Sequence, residues 1–450
     1  MHKARSAHRK QKVCMRQENE LTRTEVRGIL LIKRSGWIIP GDFRREGRED
    51  AISVASLMIT VLSWGIGKLK HQRLFLMKIC HLSSVHDLHD TRILYKECAS
   101  LAEAGNDVHL IVRHDHDEVI NGVTIHGVRG SRSKTGRLLR TVPAVYSKAR
   151  EIDPDVCHIH DIELVPLALM LKYLHGKTIV YDVHEDNPET VLSRKVLPRA
   201  LRKPVSLAVR LVEKLSAPLF DAVVTVTPTI LERFKNYTPR THLIRNFPII
   251  SDDAQAPTSW ENRRDAVIYV GSIARYRGIV TMLEGYGLAR EKHEIEYILA
   301  GRFASRDDEE FIRSMPVFDH VDYRGFVERA AADALMSSAK AGLVVIPPDP
   351  RYMVSYPTKM FEYMAAGMPV IASDFPVWRE IVEESSCGFL VDPLDPNSVA
   401  EAIARVFDNQ AEAEAMGKRG RDAALRTYRW QTEKAALIEL YGSFLTERRQ

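Results

Sequence analysis

The stretch YPTKMFEYMAAGMPVIAS, residues 356–373, has the pattern of a helix that leads directly into a buried strand. Pro357 suits the first turn of a helix, where its missing N–H costs nothing, and Gly367 suits a left-handed stop. Residues 370–372 are apolar and predict a short buried strand. A helix followed at once by such a strand is typical of a parallel α/β sheet.

Two charged residues of this helix, Lys359 and Glu362, are three positions apart and therefore share a face. The start of the helix offers unpaired amides and the positive end of the helix dipole, which suit a phosphate. This spacing would allow Lys359 to hold the phosphate of a nucleotide and Glu362 its ribose hydroxyls. A solvated ion pair on a helix surface explains the same spacing equally well.

The complete stretch resembles the donor-site signature of retaining glycosyltransferases of family four, which have the GT-B fold. In many members two glutamates bracket this signature. Glu362 matches the second glutamate, to which the resemblance assigns the ribose, whereas Val354 takes the place of the first. The Pro-Thr-Lys sequence is similar to that of a bacterial branch that makes polysaccharides and glycolipids. The resemblance implies two Rossmann-like domains with parallel sheets that face each other across a cleft.

The length and composition predict a soluble protein of two ordinary domains, with 450 residues of which 45% are hydrophobic and 27% charged. The net charge of +5 is small against 64 basic and 59 acidic residues, so it does not indicate a nucleic-acid partner. Five scattered cysteines without a Cys-x-x-Cys pair favour reduced thiols in a cytoplasmic protein over disulfides or a zinc site.

Residues 1–76 differ from the rest of the chain. They begin basic and polar, and their apolar stretch at residues 51–62 is short for a membrane span and late for a signal peptide. Residues 77–82 then resemble the first strand of such enzymes. We hypothesise that Met77 is the native start and that residues 1–76 arise from upstream translation. A membrane-associating extension is the alternative.

From Met77 to about Pro248, apolar runs alternate with helical patterns, which predicts a βαβ series and a parallel sheet. We expect an N-terminal, acceptor-binding domain over residues 77–248. Its predicted strands are residues 78–82, 108–112, 123–126, 156–160, 178–182 and 222–226. Its predicted helices are residues 92–104, 138–149, 164–174 and 230–235.

Polar side chains cluster directly after three of these strands, at residues 86–92, 158–161 and 182–185. Because ligands of open parallel sheets bind beyond the carboxyl ends of the strands, the clusters predict one crevice. A His-x-His sequence beside acids can also ligate zinc, but no cysteine or carboxylate spacing completes a ligand set, so we expect no metal. Ordinary hydrogen bonding within loops is a third explanation for many of these residues.

Here the resemblance extends to the sequences HIHD (158–161) and YDVHE (181–185), which are similar to acceptor-domain motifs of family four. The histidine of the second motif lies near the donor sugar in that family, so the resemblance implies a catalytic role for His184. It also implies acceptor-binding or phosphate-binding roles for Asp90, Arg92, His160 and Asp161.

Residues 191–214 contain seven basic residues and one acid, interleaved with apolar side chains. A basic amphipathic surface of this kind can lie on an anionic membrane. The alternative is the solvated face of two ordinary helices broken by Pro198 and Pro204. Since similar enzymes commonly use polyprenyl-linked acceptors, we expect a cytoplasmic protein that can contact the inner face of the cell membrane.

A polar linker is predicted at residues 249–265, followed by a second βα series over residues 266–427 that should bind the nucleotide sugar. A final helix within residues 428–450 is expected to cross back to the first domain, as it does in the GT-B fold. The predicted strands are residues 266–270, 296–300, 321–327, 342–346, 370–372 and 387–391.

The turn after the first of these strands contains Gly271, Arg275 and Arg277. Small residues allow a close backbone approach, and guanidinium groups suit diphosphate oxygens. The turn resembles the family sequence Gly-Arg-Leu-x-x-x-Lys-Gly, with Ser272 at the arginine position and Arg277 at the lysine position. Backbone groups near Phe326 could pair with the nucleotide base, although Phe326 could equally be a core residue.

The patterns and the resemblance together predict a retaining glycosyltransferase that uses a nucleotide-diphosphate sugar as donor, without cofactor or metal. The acceptor would be a saccharide or a polyprenyl-linked saccharide. Because Val354 cannot act as a nucleophile, we expect front-face attack assisted by the leaving phosphate, with Arg275, Arg277, Lys359 and helix amides stabilising the diphosphate. A sugar-nucleotide epimerase of GT-B shape and a non-catalytic nucleotide-sugar-binding protein are the alternatives.

Overall fold

The computed structural model describes residues 77–131, 133–193, 197–250 and 258–447. The hypothesis about residues 1–76 lies outside these residues, and so do Arg194, Lys195 and residues 251–257 of the predicted linker. The described chain contains two sheets, each with helices packed against it.

The first sheet has eight strands in the order β3-β4-β2-β1-β5-β6-β7-β8, and all neighbours are parallel except β3 and β4. Sequence patterns predicted six of these strands and missed β3 and β8, because three-residue edge strands carry too little apolar alternation. The strands are β1 (Lys78–Asp87), β2 (Asp107–Arg113), β3 (Glu118–Ile120), β4 (Val123–Val128), β5 (Val156–Ile159), β6 (Thr178–Val183), β7 (Ala222–Thr225) and β8 (Thr241–Leu243).

The second sheet has six strands in the order β11-β10-β9-β12-β13-β14, and all its neighbours are parallel. All six were predicted near their observed positions. They are β9 (Ala266–Val270), β10 (Glu296–Ala300), β11 (Val321–Gly325), β12 (Ala341–Val344), β13 (Val370–Ser373) and β14 (Gly388–Val391). The two parallel sheets confirm the predicted α/β fold class with two Rossmann-like domains.

Helices cover both sheets, joined by short 3₁₀ and π-helical turns. In the first domain they are α1 (Thr91–Cys98, π-helical, continuing as Ala99–Glu103), α2 (Val142–Ile152), α3 (Val165–His175), α4 (Asn187–Ser193), α5 (Arg199–Ser216) and α6 (Pro228–Lys235). The remaining helices are α7 (Ile279–Arg290), α8 (Arg306–Arg313), α9 (Arg329–Ser338), α10 (Pro350–Met353), α11 (Thr358–Ala365), α12 (Pro376–Ser385), α13 (Pro396–Asp408), α14 (Gln410–Arg426) and α15 (Trp430–Glu447).

The parallel register brings the carboxyl ends of β1, β5 and β6 side by side. Leu82 of β1 lies opposite Ile159 of β5, and Ile159 lies opposite Tyr181 of β6. All three residues are buried, as expected for strands of a parallel sheet that is covered on both faces. The polar clusters that follow these strands therefore leave the sheet at one edge.

Helix α11 confirms the helix-and-strand pattern of residues 356–373. It begins at Thr358 directly after Pro357, and Gly367 beyond its end has a left-handed φ of 70°. Its apolar residues pack into the buried cluster that also contains residues of β12 and β13. The backbone N–H of Val270 donates to the Tyr363 hydroxyl at 3.0 Å, which ties α11 to the end of β9.

The last helix, α15, packs on the first domain although it follows the second in the chain. Tyr441 and Phe444 belong to the same buried cluster as residues of β1 and β2. At the start of the helix, the Trp430 backbone N–H donates to the Pro248 carbonyl at 2.8 Å. The Trp430 indole donates to Ser100 Oγ at 2.9 Å. The chain thus crosses back to the first domain at this point.

The basic stretch of the first domain forms two helices, α4 and α5. Pro198 lies at the break between them, whereas Pro204 lies inside α5 and does not break it. The expectation that both prolines interrupt helices was therefore wrong for Pro204. None of the helices in the described residues combines the length and the apolar character that crossing a membrane requires.

Candidate active site

Asp182, at the carboxyl end of β6, is the centre of a buried polar network in the first domain. Its carboxylate accepts hydrogen bonds from Arg92 Nε at 3.0 Å and Arg92 Nη2 at 2.8 Å. His160 Nδ1 lies 3.1 Å and His184 Nδ1 3.0 Å from Asp182 Oδ2. Burial by itself raises the pKa of Asp182, but the Arg92 guanidinium and the two imidazoles bring that pKa well below its ordinary value.

His184 continues this network toward the protein surface through a second histidine. Its Nε2 lies 3.0 Å from His86 Nε2, and His86 Nδ1 lies 3.2 Å from Asp90 Oδ2. The side chains of His184 and His86 are 15% and 19% exposed, so both reach solvent. The predicted residue Asp90, whose side chain is 29% exposed, reaches solvent as well, so a ligand can approach all three side chains.

Arg92 was predicted to bind acceptor or phosphate, and the structure places it inside the domain. Only 4% of its surface is exposed. Besides its two bonds to Asp182, its Nη2 lies 2.9 Å from Glu97 Oε1 and its Nη1 donates to the Ile244 carbonyl at 3.1 Å. The guanidinium therefore faces protein groups, and the acceptor-binding role of Arg92 stays a prediction.

Two of the predicted acceptor carboxylates hold backbone segments. Asp90 Oδ1 caps α1 by accepting the Arg92 and Ile93 backbone N–H groups, each at 2.9 Å. Asp161 Oδ2 accepts the Ser84 backbone N–H at 2.7 Å, and the side chain is nearly buried. His160, the fourth of these residues, is buried as well. Their acceptor-binding roles stay predictions, and the observed contacts position the loops around His184.

The fold brings carboxylates to histidines that are far away in sequence. Within the described residues, three sets place possible ligand atoms within 4.8 Å of one another. The sets are His81, Glu97, His158 and His160; His114, His116 and Glu118; and His160, Asp182 and His184. Asp182 belongs to the predicted polar cluster at residues 182–185, whereas Glu97 lies outside all three clusters. Hydrogen bonds already join several of these nitrogens, as between His81 Nδ1 and His160 Nε2 at 2.9 Å. The absence of a required metal stays a prediction.

In the second domain, Gly271 and Lys359 lie against each other. Gly271 has a φ of 143°, and a Cβ atom there would stand 2.3 Å from Lys359 Cε and 2.6 Å from Lys359 Nζ. The missing side chain at Gly271 therefore leaves the space that Lys359 occupies. Lys359 Nζ also lies 5.1 Å from the centre of the Tyr269 ring, a cation–π contact.

The charge on Lys359 is influenced by two other predicted residues. Burial lowers its pKa most, the positive charge of Arg277 lowers it further, and Glu362 opposes both, giving a pKa of about 8. Three of the predicted donor residues thus lie close enough to interact, and Gly271 adjoins them. The structure brings together Gly271, Arg277, Lys359 and Glu362.

Arg277 is held by aromatic rings instead of a carboxylate. Its guanidinium lies 5.0 Å from the centre of the Tyr352 ring and 5.6 Å from that of Tyr276. Its buried Nε has no hydrogen-bond partner among the described residues. A buried donor of this kind requires a partner, and an anion would supply one.

Glu362 forms an ion pair with Arg329, which the sequence reasoning did not identify. Glu362 is also near the first domain, because its charge affects the pKa of Lys96. Burial and Arg92 lower that pKa to about 7, against the opposing effect of Glu362. Lys96 Nζ donates to Asn246 Oδ1 at 2.7 Å. The face of α11 that carries Glu362 therefore borders the space between the domains.

Arg275 and Phe326 have other surroundings. Arg275 Nε donates to Asp308 Oδ1 at 2.8 Å, and its guanidinium lies 5.1 Å from the centre of the Phe311 ring. Phe326 is 55% exposed, with the Arg302 guanidinium 4.2 Å from its ring centre. The alternative that Phe326 is a core residue is therefore wrong. The donor-binding roles of Arg275 and Phe326 stay predictions.

Sequence reasoning missed Arg329, Lys96, Glu97 and Asn246. Arg329 precedes its partner Glu362 by 33 positions, and Lys96 precedes Asn246 by 150. No local spacing rule covers such distances. Arg302, which lies over Phe326, was recognisable in the sequence because it follows Gly301 directly after the predicted strand β10, but it was given no role.

Two protein families account for most of the described chain. The model described as Glycosyltransferase Family 4 matches residues 91–247, and the model described as Glycosyl transferases group 1 matches residues 251–423. Sucrose-phosphate synthase from Thermosynechococcus elongatus superposes with a TM-score of 0.64 at 21% identity, covering 82% of this chain and 99% of that chain. The chain is a GT-B glycosyltransferase. The resemblance is thereby supported at family level, and the branch implied by the Pro-Thr-Lys sequence stays a prediction.

Further relatives of this glycosyltransferase are more distant or shorter in alignment. An uncharacterised glycosyltransferase of Methanocaldococcus jannaschii is 24% identical over 306 residues, 64% of this chain and 75% of the relative. A phosphatidyl-myo-inositol mannosyltransferase of Mycobacterium leprae is 28% identical over 155 residues, 34% of this chain and 39% of the relative. Anabaena HepE in complex with UDP-glucose has a TM-score of 0.61 at 16% identity, covering 82% of this chain and all of that chain. These relatives favour sugar transfer over an epimerase or a non-catalytic binding protein.

Proposed function

We propose that this glycosyltransferase moves a sugar from a nucleotide-diphosphate sugar to a saccharide or lipid-linked saccharide, with retention of the anomeric configuration, in surface polysaccharide synthesis. One observation carries the proposal. Lys359 and Arg277 are two neighbouring cations beside a glycine turn, and Glu362 lies next to them on the same helix. That arrangement matches a diphosphate followed by a ribose.

The two cations would hold the diphosphate. Arg277 offers a buried Nε without a partner among the described residues, and Lys359 offers an ammonium group at the start of α11. Neither is paired with a carboxylate at hydrogen-bond distance in the described chain, so their charge is available to an anion. Cations fixed in this way stabilise the charge that develops on a leaving diphosphate, without a metal or another cofactor.

Glu362 would bind the ribose hydroxyls, held in place by Arg329. A carboxylate accepts two hydrogen bonds from vicinal hydroxyls, which is the geometry that a ribose offers. HepE, which shares this fold, was crystallised with UDP-glucose. That complex supports a nucleotide sugar as the donor class.

The transfer step would proceed on the face from which the nucleotide leaves. The bond between the anomeric carbon and the phosphate oxygen breaks as the acceptor oxygen forms a bond to the same carbon. The hydroxyl proton of the acceptor passes to an oxygen of the leaving diphosphate. Val354 supports this route, because a valine there offers no carboxylate for a covalent intermediate.

On the acceptor side, His184 would orient the donor sugar or the acceptor hydroxyl. It is the predicted first-domain residue that combines solvent exposure with a fixed ring, held by Asp182. Asp90, Arg92, His160 and Asp161 would act by positioning its surroundings, since their polar atoms face protein groups.

A thermal-shift screen with UDP-, GDP-, ADP- and TDP-sugars tests the donor site. We expect one nucleotide class to stabilise the enzyme, and Glu362→Ala to weaken its binding about tenfold or more, since a hydrogen bond to a charged group contributes roughly 1.5–3 kcal/mol. Glu401→Ala is a matched control, because Glu401 is an exposed glutamate of α13 in the same domain. Normal transfer kinetics in Glu362→Ala would refute the assignment.

The same proposal includes contact of α5 with an anionic membrane. The side chains that α5 buries are Ser206, Glu213 and Ser216, whereas Leu207 and Leu215 are 68% and 64% exposed. An amphipathic helix that turns leucines outward requires an apolar partner. Its exposed basic residues are Arg199, Lys203, Arg210 and Lys214. Basic and apolar side chains on one exposed helix complement an anionic lipid surface, where a lipid-linked acceptor would be found.

Vesicle sedimentation tests this contact. We expect the enzyme to bind vesicles of anionic phospholipid, and binding to be lost when Arg199, Lys203, Arg210 and Lys214 are replaced by Gln, or when Leu207 and Leu215 are replaced by Ser. The thermal response to the nucleotide sugar should stay unchanged in both variants. Undiminished vesicle binding, or binding that is equal on neutral vesicles, would contradict the proposal.

A further inference from the structure

Two carboxylates determine that the Nδ1 atom of His86 and the Nδ1 atom of His184 each carry a proton. Asp182 is paired with Arg92 through both oxygens, and Asp90 Oδ1 accepts two backbone N–H groups. Burial raises the pKa of Asp90, but its hydrogen bonds with His86 and with the Ile93 N–H bring that pKa below its ordinary value. Both carboxyl groups are therefore ionised at neutral pH, and an ionised carboxylate can only accept. His184 Nδ1, 3.0 Å from Asp182 Oδ2, and His86 Nδ1, 3.2 Å from Asp90 Oδ2, must each carry a proton.

The other two ring nitrogens face each other, with 3.0 Å between His86 Nε2 and His184 Nε2. At that distance one of them must donate, because two lone pairs would repel each other. A neutral imidazole carries one proton, and in both rings Nδ1 already holds it. The pair thus carries three protons on its four nitrogens, one more than two neutral rings possess.

We propose that His86 and His184 form a cationic imidazole–imidazolium pair that shares one proton, and that His86 is the positioning residue for His184. The inference rests on the proposed function, because the role of His184 at the sugar gives His86 its effect on transfer. His86 was assigned no role from its sequence position.

The charges that face His86 favour the extra proton. Asp161 Oδ1 is 3.6 Å from His86 Nε2, Asp90 is bonded to its Nδ1, and Glu185 adds a weaker attraction. Burial alone lowers the pKa of His86, but these carboxylates outweigh it, so the pKa lies above its ordinary value.

Carboxylates also face His184. Asp182 is bonded to its Nδ1, and Asp90 is near enough for mutual stabilisation. Arg92 offsets part of the charge of Asp182, and His160 adds none, because burial lowers the pKa of His160 below its ordinary value. A positive charge on the histidine pair is therefore in contact with the carboxylates of Asp90, Asp161 and Asp182.

Helix α10 contacts both the surroundings of the histidine pair and the predicted donor residue Arg277. Asp349 raises the pKa of Arg351 in α10, and Glu185 raises it more weakly. Glu185, which directly follows His184 in the chain, therefore lies near this helix. The guanidinium of Arg277 lies over the ring of Tyr352, the residue after Arg351. A cationic pair at this place complements the negative charge of a bound diphosphate sugar.

Nitrogen-15 NMR of protein labelled at histidine, without substrate, tests the proton count. We expect protonated Nδ1 atoms on both rings and one proton between the Nε2 atoms, lost at an apparent pKa above the ordinary value of about 6.5. His86→Gln should abolish the signal of the shared proton and identify it. A pair that is neutral from about pH 5 to 8, or a metal bound to either ring, would overturn the proposal.

The pH profile of kcat tests the positioning role, with the nucleotide sugar selected by thermal shift. Because the charged pair exists below its pKa, we expect kcat to fall as pH rises through that value. His86→Gln keeps a donor for His184 but cannot titrate, so this alkaline fall should disappear. His86→Leu should lower kcat about 10- to 100-fold at every pH, through misplacement of His184, with little change in the KM for donor.

His89→Gln is the matched control. His89 lies just beyond the end of β1, three residues after His86, is exposed, and contacts Tyr95 Oη at 2.8 Å instead of the network. It should leave the pH profile unchanged. The profiles are compared in the Lys359→Arg background, because Lys359 itself loses its charge near pH 8. An alkaline fall that persists in His86→Gln in that background overturns the proposal. A wild-type enzyme that binds no nucleotide sugar but shows the shared proton would instead refute the proposed function.

Discussion

The two sides of the candidate site differ in how their charges are balanced. On the first-domain side, Asp182 is bonded by Arg92, His160 and His184, and nearly all of this network is buried. On the second-domain side, Lys359 and Arg277 are neighbouring cations. The first side is arranged by its own ion pairs, whereas the two cations of the second side are bonded to no carboxylate among the described residues. Under the proposed function, the first side positions groups and the second binds the diphosphate.

The largest effect should come from breaking the buried pair on the first side. Arg92→Met leaves Asp182 and Glu97 buried without their cation, and we expect the free energy of unfolding to fall by about 3–5 kcal/mol. Urea unfolding at neutral pH measures it. The control Arg113→Met removes an ion pair to the exposed Asp87 and should cost about 1 kcal/mol or less. Equal losses in the two variants would show that the network does not stabilise the fold.

On the second side, Lys359→Met should reduce activity and spare stability. Removing one cation from the leaving diphosphate is expected to lower kcat about 10²- to 10³-fold. The free energy of unfolding should not fall, because a buried ammonium group without a bonded carboxylate is replaced by an apolar chain of similar length. The exposed Lys292→Met serves as control. A large loss of stability with normal kcat would reverse the contrast between the two sides.

The pH dependence of donor affinity tests whether the charge of Lys359 acts on the second-domain side. Its pKa of about 8 lies below the ordinary value, so the side chain loses its charge as pH rises through about 8. We expect donor affinity to be constant below that pH and to decrease up to about tenfold per pH unit above it. Isothermal titration calorimetry measures the affinity. In Lys359→Arg the decrease should be absent up to about pH 10, since guanidinium stays charged.

The smallest effect is expected at Arg329, the exposed partner of Glu362. Arg329→Gln should change the free energy of unfolding by about 1 kcal/mol or less, as exposed ion pairs do. Donor affinity should decrease a few-fold, since Glu362 keeps its charge but loses its orientation. A loss as large as that of Glu362→Ala would mean that Arg329 itself contacts the donor.

Much of the fold could be predicted from sequence, because its determinants are local. The apolar runs of the parallel strands and the proline and glycine around α11 define most elements without knowledge of their neighbours. Gly271 and Lys359 were also both predicted as donor residues, since each belongs to a recognisable segment, the turn after β9 and the start of α11. Arg275 shows the limit of this approach: it shares a turn with Arg277, yet it pairs with Asp308 from α8.

The sequence by itself determined two α/β domains, the helix that presents Lys359 and Glu362, and the strand ends where polar residues gather. Each of these follows from side-chain periodicity and from the backbone preferences of proline and glycine. Only the tertiary structure decided that Arg92 turns inward to Asp182, that His86 meets His184, and that Arg329 holds Glu362. Such contacts depend on the order of strands in a sheet and on long-range packing, which place residues together regardless of their separation in the chain.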